Sequence, residues 1–176
     1  MSGRFVADHD EVARLVAEAK AAGKRVVFTN GGFEILHVGH VRSLRDARSR
    51  GDLLVVAVNS DASVRRNKGA GRPVVPAGER VEVLCALSSV DLVTVFDDPT
   101  VDALLRRVRP SVHAKGTDYT PETVPERETV REIGAEIAIV GDPKDHATTD
   151  LLERIRCRPA LPPPGTRDGS QPLEPS

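Results

Sequence analysis

Apolar and polar positions follow two rhythms along this chain, and the changes between them predict its elements. Over 10–22, Val12, Leu15, Val16 and Ala19 recur at helical spacing among charged residues, predicting an amphipathic helix that Gly23 ends. The run RVVFT at 25–29 predicts a short apolar strand, broken by Gly31 and Gly32. Helical spacing returns over 41–50, with Val41, Leu44 and Ala47 on one face and Gly51 as its stop. LLVVAVN at 53–59 is apolar throughout, the pattern of a parallel strand buried on both faces. Two strands with a helix between them make a βαβ unit.

The alternation continues downstream. Residues 60–66 read as a short helix or loop, NKGAGRPVVP at 67–76 as a mobile, glycine-bearing basic loop, and 77–87 as a helix that packs through Val81 and Leu84. DLVTVF at 91–96 is a third strand. A helix over 101–107 follows, with Val101, Leu104, Leu105 and Val108 as its apolar stripe and Pro110 as its stop. A fourth strand over 111–115, a helix over 122–134, a fifth strand over 136–140 and a short helix over 150–156 complete the pattern. The expected fold class is α/β: a Rossmann-like, doubly wound, five-stranded parallel sheet with helices on both faces and right-handed crossovers. Residues 159–176, PALPPPGTRDGSQPLEPS, offer no face to pack and read as a disordered proline-rich tail, which leaves 1–158 as the domain.

Composition narrows the partners. The 176 residues suit one domain, and 25 basic against 26 acidic residues leave a net charge of -1, which argues against a nucleic-acid groove or an anionic membrane surface. The absence of Trp, with one Tyr and four Phe, argues against a base-stacking surface. No long apolar run is present and MSGRFVADHDE lacks the features of a secretory leader, so a cytoplasmic protein with no membrane partner is expected. Cys85 and Cys157 lie far apart without a CxxC, which indicates neither a disulfide framework nor a metal site; Cys85, within VEVLCALSSV, reads as a core residue.

The chemistry concentrates at the end of the first predicted strand, in TNGGFEILHVGH at 29–40. Ligands of open α/β sheets bind beyond the carboxyl ends of the strands. There Gly31 and Gly32 let the backbone approach a phosphate, and a helix starting near Gly39 points its free amides and positive end at an anion. His37 and His40, three positions apart, donate hydrogen bonds to the same group. One histidine beside a helix start is ordinarily a cap or a surface residue; two after a glycine pair form a phosphate station. A third ligand for zinc is missing nearby, so no metal is assigned to the pair. The chain has neither GxGxxG nor GxxxxGK[ST], the markers of dinucleotide redox enzymes and P-loop hydrolases.

This segment resembles the HxGH signature of a nucleotidyltransferase superfamily that includes cytidylyltransferases, pantetheine-phosphate adenylyltransferase and nicotinate-nucleotide adenylyltransferases. The likeness is greatest to the adenylyltransferase domain that makes ADP-heptose from D-glycero-β-D-manno-heptose 1-phosphate. It extends through GDLLVVAVNSDASVRRNKGAGRPVVPAGERVEVLCAL, KGTDYTPE and ATTDLLERI, roughly residues 10–157. The resemblance implies a nucleotidyltransferase that moves AMP from ATP, with CTP or GTP as other donors, to a phosphorylated sugar with release of pyrophosphate. It also implies a homodimer, and Mg²⁺ brought by the triphosphate rather than by a carboxylate cage. A cytidylyltransferase acting on glycerol- or polyol-phosphate is the rival enzyme, and a catalytically weak nucleotide-binding protein the rival from another class.

Carried over motif by motif, the resemblance gives His37, His40, Lys68, Lys115 and Thr148 roles in transfer. Thr29, Asn30, Gly31, Phe33 and Gly39 line the nucleotide cleft, Arg80 assists phosphate binding, and Lys115, Gly116 and Asp118 of KGTDY contact phosphate and sugar. Thr148 and Thr149 hold the β- and γ-phosphates. On the acceptor side stand Gly32, Glu34, Asn59, Asp61, Lys68, Asp118 and Tyr119. Plainer roles stay open. Arg65, Arg66, Lys68 and Arg72 form a solvated basic face, Arg80 pairs at the surface with Glu79 or Glu82, and Asp61 caps a helix. Asp118 sits in a surface turn, and Thr148 and Thr149 are an N-cap pair.

Three departures stand out. Gly32 and Glu34 replace the usual Cys and Asp of the first motif; Gly32 widens the cleft, and Glu34 carries its carboxylate one methylene farther, toward the acceptor. Asp145, His146 and Ala147 replace Gly-Arg-Ser before the threonine pair, which removes an arginine fork that Lys144 or His146 replaces in part.

Overall fold

The computed structural model describes residues 3–142 together with Ile155 and Cys157. Strands β1 (Arg4–Phe5), β2 (Val26–Gly31), β3 (Leu53–Asn59), β4 (Leu92–Phe96), β5 (Val112–Gly116) and β6 (Glu136–Val140) form one sheet in the order β1-β4-β3-β2-β5-β6. Every pairing is parallel. Helices α1 (His9–Ala21), α2 (Val38–Ser49), α3 (Asp61–Lys68), α4 (Ala77–Cys85), α5 (Asp102–Val108) and α6 (Arg127–Glu132) connect the strands. The α/β doubly wound expectation holds, with one correction: six strands rather than five. β1 has only two residues, RF, too few to show a period, and it adds to the edge by pairing with Leu92 and Val93.

Alternate side chains of the apolar strands feed two cores, one per face. Val55 and Ala57 of β3 join Val12 and Val16 of α1, Leu104, Leu105 and Val108 of α5 and Val130 of α6. Leu54, Val56 and Val58 face the other way, against Leu44 and Ala47 of α2 and Val81 and Leu84 of α4. Cys85 packs half-buried against this second core, and burial pushes its thiol up. Burying each such Val or Leu contributes roughly 1.5–3 kcal/mol, so a charge at Val56 would break both β3 and the face it supports.

Local signals explain the element ends. The Asp8 side chain caps α1 by accepting from the Asp10 amide, and Gly23, at φ +77°, lets the chain leave. Ser60 caps α3 by accepting from the Ser63 amide at 2.9 Å, so the capping role weighed for Asp61 belongs to its neighbour. The helix expected over 122–134 is realised only as α6. The Thr123 hydroxyl accepts from the Thr120 amide and donates to the Thr120 carbonyl, a local turn that holds the preceding segment out of helix, and Pro125 follows it.

The site follows from strand order. The chain winds outward from β2 through β3 to β4, then returns to β5 on the other side of β2, so the loops after β2 and β5 depart in opposite directions. The crevice between them is where an open α/β sheet takes its ligand.

Candidate active site

A cleft of about 540 Å³ opens at this crevice. Its floor is Thr29, Asn30, Gly31 and Gly32 at the end of β2; Lys115, Gly116, Asp118 and Tyr119 rise from the end of β5. Asn59 and Asn67 border it on the β3 side, with Phe96, Thr100 and Val101 beyond. Nothing in DLVTVF, the turn after it or the loop around Asn67 marks a cleft wall in the sequence, and Val101 was expected only as a core residue.

Gly31 leaves room for its neighbour. Phe33 adopts a left-handed backbone, φ +47°, and its ring lies 3.2 Å from where a Cβ on Gly31 would be. That strained residue turns the chain so that its ring reaches His40, with centroids 5.4 Å apart. His37 occupies the N-cap of α2 and His40 its first turn, and their ring centroids lie 4.0 Å apart. Burial, then the His37 and Lys68 charges, push His40 down to about 4, so its imidazole is neutral near pH 7 in the ligand-free cleft. Gly39 lies within α2, beside the pair.

Two buried carboxylates flank this centre. The Glu34 side chain is fully buried and accepts from Lys68 Nζ at 2.9 Å, Arg72 Nε at 2.7 Å, Arg72 Nη2 at 2.5 Å and the Val74 amide at 3.2 Å. Burial alone would raise its pKa; the Arg72 and Lys68 partners override burial and hold it at about 2. The basic run is therefore not wholly a solvated face: Lys68 and Arg72 are fastened to Glu34. Gly32 borders the cleft, and a Cβ there would meet Lys68 Nζ at 3.7 Å and Val64 Cγ2 at 3.9 Å, ordinary contacts.

On the β5 side, Lys115 Nζ donates to Asn30 Oδ1 at 3.1 Å and to Glu126 Oε1 at 3.0 Å, and stands 5.3 Å from the Tyr119 ring centroid. Lys115 and Glu126 are both nearly dry. Behind them His113, stacked on Phe28, places Nε2 3.6 Å from Glu126 Oε2. Burial lowers the His113 pKa more than Glu126 raises it, so that ring stays neutral. Neither Glu126 nor His113 had been anticipated; the available signal was a histidine within an otherwise apolar strand.

Arg80 lies away from the cleft surface. It is 1% exposed and binds the carbonyls of Val75, Gly32 and Asn59 and the Asp61 carboxylate. The surface pair weighed with Glu79 or Glu82 does not form; the guanidinium instead ties α4 to the ends of β2 and β3. Asp61 Oδ1 also accepts from the Ala77 amide, and Asn59 Nδ2 donates to Ser63. Asp118 is exposed and borders the cleft. Lys144, His146, Thr148 and Thr149 lie outside the described residues.

A family model described as cytidylyltransferase-like matches residues 28–158, which contain this whole centre. The chain belongs to the cytidylyltransferase-like family. It is a nucleotidyltransferase of that family. It is 49% identical over 147 residues to the bifunctional protein HldE of Geotalea uraniireducens, covering 84% of this chain and 30% of that protein. The HldE of Geobacter sulfurreducens is 49% identical over 146 residues, covering 83% and 30%. The chain thus spans about 30% of the length of these curated relatives. Among solved structures it is similar to a lipopolysaccharide core biosynthesis protein from Thermoplasma volcanium, with a TM-score of 0.60, 25% identity, and coverage of 69% of this chain and 100% of that one.

Proposed function

We propose that this chain transfers AMP from ATP to a sugar 1-phosphate, D-glycero-D-manno-heptose 1-phosphate, to give ADP-heptose and pyrophosphate. The observation that carries nucleotidyl transfer is the His37–His40 pair, rings 4.0 Å apart at the start of α2, with His40 lining the same cleft as Lys115. The likeness through TNGGFEILHVGH, KGTDYTPE and ATTDLLERI supports adenine as the base and heptose 1-phosphate as the acceptor.

In this reaction an oxygen of the acceptor phosphate attacks the α-phosphorus. The bond from that phosphorus to the bridging oxygen breaks, and the electron pair leaves with pyrophosphate. The acceptor oxygen is already ionised, so no general base is needed. The protein's contribution is to hold two anions in line and to place donors where charge develops. His37 and His40 donate to the triphosphate, with Lys115, Thr148 and Thr149 completing its cradle. Thr29, Asn30, Gly31, Phe33 and Gly116 line the nucleotide. Lys68, Asn59, Asp61, Glu34, Gly32, Asp118 and Tyr119 serve the acceptor, and Arg80 acts on phosphates only through the loops it ties. Among the described residues no group of three or more His, Cys, Asp or Glu side chains is disposed to hold a metal ion, so Mg²⁺ enters as part of the MgATP substrate. No helix of the described residues is long and apolar enough to cross a membrane; a cytoplasmic homodimer is the proposed working state.

A substrate panel tests this reading. Pyrophosphate release is measured for ATP, CTP and GTP against heptose 1-phosphate and glycerol 3-phosphate. Release with ATP and heptose 1-phosphate at least tenfold faster than any other pair is expected. Release confined to CTP would overturn the adenylyl assignment, and release confined to glycerol phosphate the acceptor.

A further inference from the structure

Lys115 and Glu126 form an ion pair in a place where ion pairs are costly. Their side chains are 8% and 7% exposed, and desolvating both charges offsets most of what their attraction returns. Well-packed apolar residues of similar volume often serve as well in such a place, so the charges call for a use. Lys115 has three N–H donors. Two go to Asn30 Oδ1 and Glu126 Oε1, and Asn30, Lys115 and Glu126 all border the cleft at the crevice between β2 and β5.

The surroundings of Glu126 show which cation it serves. Burial would raise its carboxyl, but His113 and Lys115 hold it at about 2, so it is ionised throughout the working range. His113 lies 3.6 Å from Oε2, is completely buried and stays neutral. Among the described residues, the single cation in contact with the carboxylate is therefore Lys115. Glu126 follows the turn that Thr120 and Thr123 close, and the Val130 amide donates to its carbonyl as α6 begins. Its backbone is thus anchored from both sides, while Lys115 is anchored in β5.

We infer that Glu126 is a positioning residue: it fixes the Lys115 ammonium at the nucleotide side of the cleft, with Asn30 as the second brace, so that the remaining N–H meets a triphosphate oxygen. This rests on the nucleotidyl-transfer reading. Without the carboxylate, Lys115 loses its bearing and its preference for one rotamer, and binding of the nucleotide must supply the ordering.

The test is a double-mutant cycle with ATP as the probe, read by calorimetric affinity and by kcat/KM for pyrophosphate release. Glu126→Gln keeps shape and an acceptor but loses charge; it should weaken ATP binding about tenfold, the effect of losing one charge-assisted contact. Glu126→Asp, with the charge one methylene short, should fall between the two. In a Lys115→Met background, Glu126→Gln should change ATP affinity less than about twofold, because a residue acting only through Lys115 has nothing left to position. Equal losses in both backgrounds, or wild-type affinity in Glu126→Gln, would overturn the inference. If Glu126→Gln does not fold, wild-type ATP affinity in Glu126→Asp overturns it instead. Wild-type protein that binds ATP without releasing pyrophosphate would sink the transfer reading while leaving the cycle readable in binding constants. Failure to bind ATP would sink both.

Discussion

Glu34 and Glu126 are both buried carboxylates held at about 2, Glu126 in the lining of the cleft and Glu34 next to its lining residue Phe33, yet they keep different company. Glu34 is held by cations that reach solvent: Lys68, at the end of α3, is 46% exposed, and Arg72, in the loop that follows, is 20% exposed. Glu126 is held by Lys115, 8% exposed and set in a central strand, with a neutral histidine behind it. The same acidity thus arises from two arrangements that differ in how much it costs to take them apart. Charges separate cheaply where water replaces the partner, and at great cost where it cannot. On the Glu34 side, Lys68 and Arg72 reach solvent and can trade the carboxylate for another anion. The Glu126 wall suits a fixed donor for the nucleotide.

The largest effect that would separate the two walls is on stability. Lys115→Met leaves Glu126 charged, buried and unpaired, and should cost roughly 3–5 kcal/mol. Lys68→Met should cost about 1 kcal/mol or less, because its partner keeps Arg72 and its own ammonium is half in water. Arg72→Ala, which removes two hydrogen bonds from Glu34, should fall between, at about 1.5–3 kcal/mol. Urea unfolding of the three variants measures these differences; equal losses for Lys115→Met and Lys68→Met would erase the comparison.

Acid unfolding sharpens it with a smaller effect. His40 has its folded pKa lowered from 6.5 to about 4, so between those values the unfolded chain binds more protons. Stability is then fully present above about pH 6.5 and declines as pH falls toward 4. Glu34 and Glu126, lowered from 4.5 to about 2, contribute above about pH 4.5 and lose that contribution as pH falls through 2. His40→Gln should shrink the first limb, which the buried His113 shares, and Glu126→Gln should shrink the second, which Glu34 shares. A first limb as steep in His40→Gln as in wild type would show that His40 is not desolvated as the geometry requires.

How much of this was legible in the chain depends on sequence distance. β3 and β6 have the bounds their apolar runs suggest, and α1 lies within one residue of its heptad-like pattern. The His37–His40 pair was legible because two adjacent turns of chain hold it. β1 was not, since two residues show no period. Arg80 lies in a polar helix and reads as a surface residue; its partners Gly32, Asn59 and Asp61 lie 19 or more positions upstream and only the fold assembles them. The Glu34 exchange was visible as a departure, but its binding of Arg72, 38 positions on, was not. Glu126 sits in a stretch whose helical spacing masked a turn, and its lysine lies on the neighbouring strand.

The central claim is that the crevice between β2 and β5 transfers a nucleotidyl group with the help of the histidine pair. The most direct measurement follows ATP and heptose 1-phosphate by phosphorus NMR, with wild type and His40→Asn side by side and thermal unfolding checked for both. The account predicts a nucleoside diphosphate sugar and pyrophosphate appearing together in wild type, and a rate about 100-fold or more lower in the folded variant, the usual loss for one donor to the transition state. A folded His40→Asn protein that forms both products at the wild-type rate would contradict it.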